Sequence, residues 1–140
     1  MKIIQGKIKK ISRPVIGDVS VDLIKEMLEV CKQPLGRKSG GLALAHCQVD
    51  QDDPLRFFVL KTGDVIINPK ILDKSDRVTN IEGCLNFPFR DDKKISRYNK
   101  IKVCYTKNNK SELIEQELEG IMAFIFQHEI EHFNGKTIYD

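Results

Sequence analysis

The chain has 140 residues, 41% of them apolar and 31% charged, which fits one soluble globular domain over residues 1–140. Its 23 basic and 20 acidic side chains leave a net charge of +3, spread in mixed runs, which argues against a specific nucleic-acid partner. No apolar run approaches the ~20 residues that cross a bilayer, and Met1 to Lys7 lacks the apolar stretch of a secretory signal. The expectation is a cytoplasmic protein with no membrane contact, able to fold as a monomer.

Residues 21–31 carry a helical pattern. Leu23, Ile24, Met27, Leu28 and Cys31 form an apolar stripe, while Asp22, Lys25, Glu26 and Glu29 face away. Ser20 is placed to cap the first turn, and Pro34 and Gly36 end the element. A basic loop over 34–40 leads through Gly40 and Gly41 into the apolar run Leu42 to Ala45. After the polar turn Asp50 to Pro54, Arg56 to Lys61 reads as a buried strand centred on Phe57, Phe58, Val59 and Leu60. Val65 to Ile67 reads as a short strand stopped by Asn68 and Pro69. Lys100 to Thr106 is a further strand, followed by a hairpin-like turn over Lys107 to Lys110. Residues 111–119 are rich in helix formers and by propensity join the next helix, with an edge strand beside residues 100–106 as the alternative. From about Glu119 to Phe133 the helical periodicity is strong, and Asn134 with Gly135 terminates it. Helix, strands and helix in this order predict an α+β domain.

The last helix carries Gln127-His128-Glu129-Ile130-Glu131-His132. Histidines four apart share a helical face and can reach one metal ion. A glutamate directly after the first is placed to handle a proton on metal-bound water. A solvated His/Glu face is the plainer reading. Met122, Ile125 and Phe126 within two turns oppose it, because buried histidines need polar partners. A third ligand must come from elsewhere. The cysteines Cys31, Cys47, Cys84 and Cys104 form no Cys-x-x-Cys pair, which argues against a zinc knuckle or a dithiol redox site. Cys84 sits beside Gly83 in Glu82-Gly83-Cys84-Leu85-Asn86, and a thiolate in such a tight turn suits a transition metal. A small buried hydrophobe is the competing reading for any lone cysteine. It fits Cys31 and Cys104 well and Cys47 less well, since Gln48 follows Cys47.

Three segments together resemble the peptide deformylase family: Gly41 to Gln48, Glu82 to Asn86, and Gln127 to His132. The resemblance implies an α+β fold with antiparallel strands around a central metal-binding helix, and makes residues 111–118 a strand. It implies that Cys84, His128 and His132 hold one divalent ion, Fe2+ by family habit, with Zn2+, Ni2+ or Co2+ able to replace it. Glu129 would be the general base and acid, with Gln48 and the Leu85 amide steadying the formyl oxygen. Glu82 and Arg97 would form a structural ion pair. Leu42, Ala43, Leu44, Ile121, Phe124 and Ile125 are the candidates for the substrate pocket, with ordinary core packing as the alternative for each. The implied substrate is an N-formylmethionyl peptide, with weak ribosome contact as a further expectation. The chain looks like a compact form of the family without a C-terminal extension, as in phage-borne versions.

The chain also departs from the family pattern. Ala43 stands where a glycine is usual, and adds a methyl where a peptide backbone should pass. His46 stands where alanine is usual. It reads as a solvated neighbour of the cleft, with core packing or a substrate contact as alternatives. Asn86 stands where serine is common. These departures motivate a rival reading: a deformylase-like protein with weak activity or altered acyl preference. A general zinc endopeptidase would leave the Cys84 segment without a purpose. A non-enzymatic peptide-, RNA- or ribosome-binding module would need a coherent basic face.

Overall fold

In the computed structural model, which describes residues 1–140, the first helix follows the predicted stripe. Helix α1 spans Val21–Lys32, and the Ser20 hydroxyl accepts the Leu23 N–H at 3.3 Å. Met27 and Cys31 are fully buried beneath it. Five strands follow: β1 (Ala43–Ala45), β2 (Phe57–Leu60), β3 (Val65–Glu82), β4 (Lys93–Lys107) and β5 (Ile114–Glu119). A 3-10 turn, His46–Gln48, follows β1, and helix α2 spans Ile121–Phe133. The strands form one antiparallel sheet in chain order, β1-β2-β3-β4-β5.

Strand β2 explains why an unbroken apolar run is needed. Side chains alternate between the faces of a strand. Phe58 and Leu60 enter one core, with Phe126 and Phe133 of α2. Phe57 and Val59 enter a second core, with Met27 and Cys31 of α1. The sheet is therefore covered by a helix on each face at this point. Gln127 fixes α2 in register: its side chain accepts the Tyr98 N–H at 2.8 Å and donates to the Tyr98 carbonyl at 2.7 Å.

The structure corrects three expectations. Val65 to Ile67 does not stop at Asn68-Pro69 but opens the long strand β3. Asn68 adopts a positive φ of 50°, and the β3/β4 register shifts between Ile67 and Lys70. The proline falls where the ladder is already broken, so its missing N–H costs no pairing. Residues 114–119 form an edge strand, as the family resemblance implied and helix propensity did not. Its alternation is sparse: Leu118 is buried and Glu115 and Glu117 are exposed. His46 is no solvated neighbour of the cleft. It is buried, stacked on Phe57 at 5.0 Å, and its Nδ1 accepts the Leu55 N–H at 3.0 Å.

Candidate metal centre

The site is assembled from three places. Strand β3 delivers Glu82, the loop after it carries Cys84, and α2 supplies His128, Glu129 and His132. Gly83 makes the turn possible. A Cβ there would fall 2.5 Å from Asp92 Oδ1 and 2.9 Å from Lys38 Nζ, so the Lys38–Asp92 ion pair fills that space.

The ligand atoms of Cys84, His128 and His132 lie within 4.8 Å of one another, and Cys84 Sγ stands 3.8 Å from His132 Nε2. A tetrahedral ion with one thiolate and two imidazoles separates its ligand atoms by roughly 3.5 Å. Both outer nitrogens are already engaged. His128 Nδ1 lies 2.8 Å from Glu82 Oε1, and His132 Nδ1 lies 2.9 Å from the Lys136 carbonyl. Carboxylate and carbonyl oxygens only accept, so each Nδ1 carries the hydrogen. Each Nε2 therefore faces the third ligand, where a bound ion would meet its lone pair in place of a proton. The cluster therefore fits one divalent ion. Cys31, by contrast, is buried in the second core with its Sγ directed at the Gly41 carbonyl, and burial raises its thiol to about 11. Cys47 is likewise buried, with Sγ 3.4 Å from the His132 carbonyl and a thiol pushed up by burial to about 12.

Behind His128 stands a saturated carboxylate. Glu82 accepts from Arg97 Nε at 2.9 Å and from Arg97 Nη2 at 2.7 Å, and Asn80 adds a bond at 2.9 Å. Arg97 also pairs with Glu131. Burial works to raise the Glu82 pKa. The hydrogen bonds from His128, Arg97 and Asn80 outweigh it and bring the carboxyl down to about 2.

Glu129 has the opposite surroundings. It is buried, its Oε1 has no hydrogen-bond partner, and its Oε2 lies 3.8 Å from His128 Nε2. Burial raises its pKa to about 7, against the pull of His128. A buried carboxylate held near neutrality and unpaired at one oxygen is suited to exchanging a proton. Across from it, Gln48 is buried with its Nε2 3.8 Å from Cys84 Sγ. The Leu85 N–H makes no backbone hydrogen bond. These groups open onto a cavity of about 540 Å3, whose walls include Gly41, Leu42, Ala43, Ile121, Phe124 and Ile125.

The sequence model of the polypeptide deformylase family matches residues 2–140. The chain belongs to that family. A peptide deformylase of Thermotoga sp. strain RQ2 is 39% identical over 127 residues, covering 85% of this chain and 72% of the relative. Peptide deformylase 1 of Clostridium perfringens is 36% identical over 131 residues, covering 90% and 85%. The crystal structure of the Thermotoga maritima deformylase superposes with a TM-score of 0.83 at 35% identity, over 99% of this chain and 95% of that one. A deformylase of the Vibrio parahaemolyticus bacteriophage VP16T, solved with actinonin, gives a TM-score of 0.83 at 32% identity, over 99% and 100%. The reaction is the family's metal-dependent removal of an N-terminal formyl group, and the three-ligand centre provides for the metal.

Most of the deformylase residues expected from sequence meet in this cavity. Leu44 does not. It is fully buried in the second core, because neighbouring residues on β1 point to opposite faces and Ala43 takes the cleft side. Two contributors escaped the sequence reading. The Lys136 carbonyl orients His132, and a backbone oxygen carries no sequence signal. Lys38 bonds Asp92 at 3.0 Å and the Arg90 carbonyl at 3.0 Å, tying the basic loop to the Cys84 loop. Its lysine had no feature to separate it from the solvated charges around it.

Glu82 supplies one test. Its carboxyl titrates at about 2 in the folded, metal-free protein and near 4.5 when unfolded. A depressed folded value means stability that is complete above about pH 4.5 and lost as pH falls toward 2. The difference is on the order of 3 kcal/mol. Urea unfolding of the metal-free wild type and Glu82→Gln at pH 6, 4 and 3 should show the gap between them closing as pH falls. A gap that is constant with pH would refute the assignment. In the loaded protein the same substitution should weaken metal affinity by about 10- to 100-fold, read by chelator competition.

Proposed function

We propose that the protein deformylates N-formylmethionyl nascent peptides, with Fe2+ as native ion at Cys84, His128 and His132 and with Glu129 as the proton carrier. The observation that carries this reading is the unpartnered, buried Oε1 of Glu129 beside a complete three-ligand set. A bound divalent ion supplies Lewis acidity and lowers the pKa of a coordinated water. A mixed thiolate and imidazole set suits iron and equally admits Zn2+, Ni2+ or Co2+.

The chain's own groups do the rest. Glu129 accepts the proton of the attacking water at its free carboxylate oxygen and returns it to the leaving amine nitrogen. The Gln48 Nε2 hydrogen and the Leu85 N–H donate to the formyl oxygen as it gains charge. Glu82 and the Lys136 carbonyl keep both imidazoles in the ligating tautomer. An extended peptide adds to the sheet edge at β1, and its first side chain enters the apolar wall of Leu42, Ile121, Phe124 and Ile125. An unbranched methionine chain fits such a wall. Action as a monomer in the cytoplasm, near the ribosome, follows as part of the proposal. A thiolate–Fe2+ site needs a reducing compartment, and one chain buries both of its cores by itself.

The test is formate release. Protein purified without oxygen should carry close to one transition-metal ion per chain. It should release formate from a formyl-methionyl peptide and leave the acetylated peptide intact. Metal-loaded protein that releases no formate would refute the reading.

A further inference from the structure

Gln48 can serve as a donor only if its side-chain amide presents N–H, and not C=O, to the cleft. Rotation of the amide by half a turn would exchange the two. Gln48 is 2% exposed and its neighbour Asn86 0%, so solvent does not decide the orientation. A short relay does. The Ala45 backbone N–H donates to Gln48 Oε1 at 2.9 Å. Gln48 Nε2 donates to Asn86 Oδ1 at 2.9 Å. Asn86 Nδ2 donates to the Gly6 carbonyl at 3.3 Å, while the Gly6 N–H bonds the Asn86 carbonyl at 2.7 Å.

Both ends of this relay are backbone groups with a fixed sense. A backbone N–H can only donate and a carbonyl can only accept. Gly6 therefore sets which way the Asn86 amide points, and Asn86 then offers only a carbonyl oxygen to Gln48. A flipped Gln48 would set its own carbonyl against Asn86 Oδ1 and its NH2 against the Ala45 N–H. Both clashes would be buried. The native orientation uses one Nε2 hydrogen for Asn86 and leaves the second on the side of Cys84, whose Sγ is 3.8 Å away.

We propose that Asn86 is a positioning residue: it locks the Gln48 amide so that its second N–H, the one on the Cys84 side, can turn to the substrate's formyl oxygen, and it draws that orientation from Gly6 of the N-terminal segment. The proposal rests on Gln48 being the donor described above. A serine at this position could not do the same. Its hydroxyl both donates and accepts, so it would leave the orientation of Gln48 to the Ala45 N–H alone, and it is too short to span to Gly6 as well.

A double-mutant cycle on Co2+-loaded protein separates positioning from simple support. Wild type, Asn86→Leu, Gln48→Ala and the double variant are compared, with metal content and melting temperature measured on each. Gln48→Ala should lower kcat by about 100-fold, as for loss of one such donor. Asn86→Leu should lower kcat by about 10-fold with KM nearly unchanged. In the Gln48→Ala background it should change kcat by less than about 2-fold. Equal losses in both backgrounds would make Asn86 structural only and overturn the proposal. Should Asn86→Leu fail to fold, Asn86→Ser is read through the same cycle, with a smaller loss and the same dependence on Gln48 expected.

A second readout needs no turnover. In 15N–1H spectra of the Zn2+-loaded protein, the Gln48 side-chain NH2 pair, assigned by its absence in Gln48→Ala, should be protected from exchange. It should lose that protection in the Asn86 variant. Unchanged protection would overturn the proposal even if kcat fell. Full activity of Gln48→Ala would instead refute the reading of Gln48 as donor, and the spectra would still decide whether Asn86 fixes its amide.

Discussion

Replacement of Cys84 by alanine should empty the metal centre, whereas the same change at Cys31 should leave it loaded. Metal-binding free energies of ~10–16 kcal/mol divided among three or four ligands give ~2.5–5 kcal/mol for each. Losing one therefore lowers affinity by about 10^2- to 10^4-fold. Cys84 Sγ lies 3.8 Å from His132 Nε2, within the ligand cluster. Cys31 lies on the buried face of α1 as a thiol whose pKa burial raises to about 11, so it offers no thiolate near neutral pH. Cys31→Ala should cost about 1 kcal/mol of stability through lost packing and keep one ion per chain. Elemental analysis after dialysis against a weak chelator reads both variants. Metal retained by Cys84→Ala would remove the thiolate from the ligand set.

Turnover should vanish in Glu129→Gln while the ion stays. Loss of a general acid–base group slows a reaction by about 10^2- to 10^4-fold. The amide keeps the shape of the carboxylate and its distance from His128, so the ligands are undisturbed. Stability separates this role from a structural one. The Glu129 carboxylate is buried with Oε1 unpaired, and burial raises its pKa to about 7. An ionised group in that position opposes folding. The glutamine variant should therefore melt at the same temperature as wild type or higher. Formate release, metal content and melting temperature on one preparation check all three. Residual activity within about 3-fold of wild type would remove Glu129 from proton transfer.

The proposed proton carrier and the two histidines were legible because the helical period itself brings residues four apart together. His128 and His132 needed only the helix, and Glu129 only its place between them. Helix α1 was legible for a similar reason: Leu23, Ile24, Met27, Leu28 and Cys31 repeat at helical spacing, and a serine stands at the cap. Strand β2 showed itself as an apolar run because both of its faces are buried. Where one face or both meet solvent the signal fades. The outer part of β3 and the start of β4 are largely exposed, and only pairing with each other makes them strands. Residues 114–119 carry good helix formers, yet lie at the sheet edge because β4 offers unpaired backbone groups there.

Local sequence thus determined the two histidines, the glutamate between them and the elements that carry a repeat of apolar residues. The glycine turn marked Cys84 as a candidate third ligand, and resemblance between motifs tied it to the helix and added Gln48, which no local period could do. Only the tertiary structure decided what surrounds them. It put Leu44 in the second core and Ala43 in the cleft, and packed His46 against Phe57. It also gave His132 a backbone carbonyl from Lys136 and Gln48 an amide partner in Asn86. Such choices depend on groups far apart in the chain, and on backbone oxygens that every residue possesses. Surroundings, and not residue type, then hold Glu82 at about 2, where hydrogen bonds overcome burial, and Glu129 near 7, where burial prevails. One carboxylate is saturated by Arg97, His128 and Asn80, and the other is left with an unpaired oxygen beside the metal ligands.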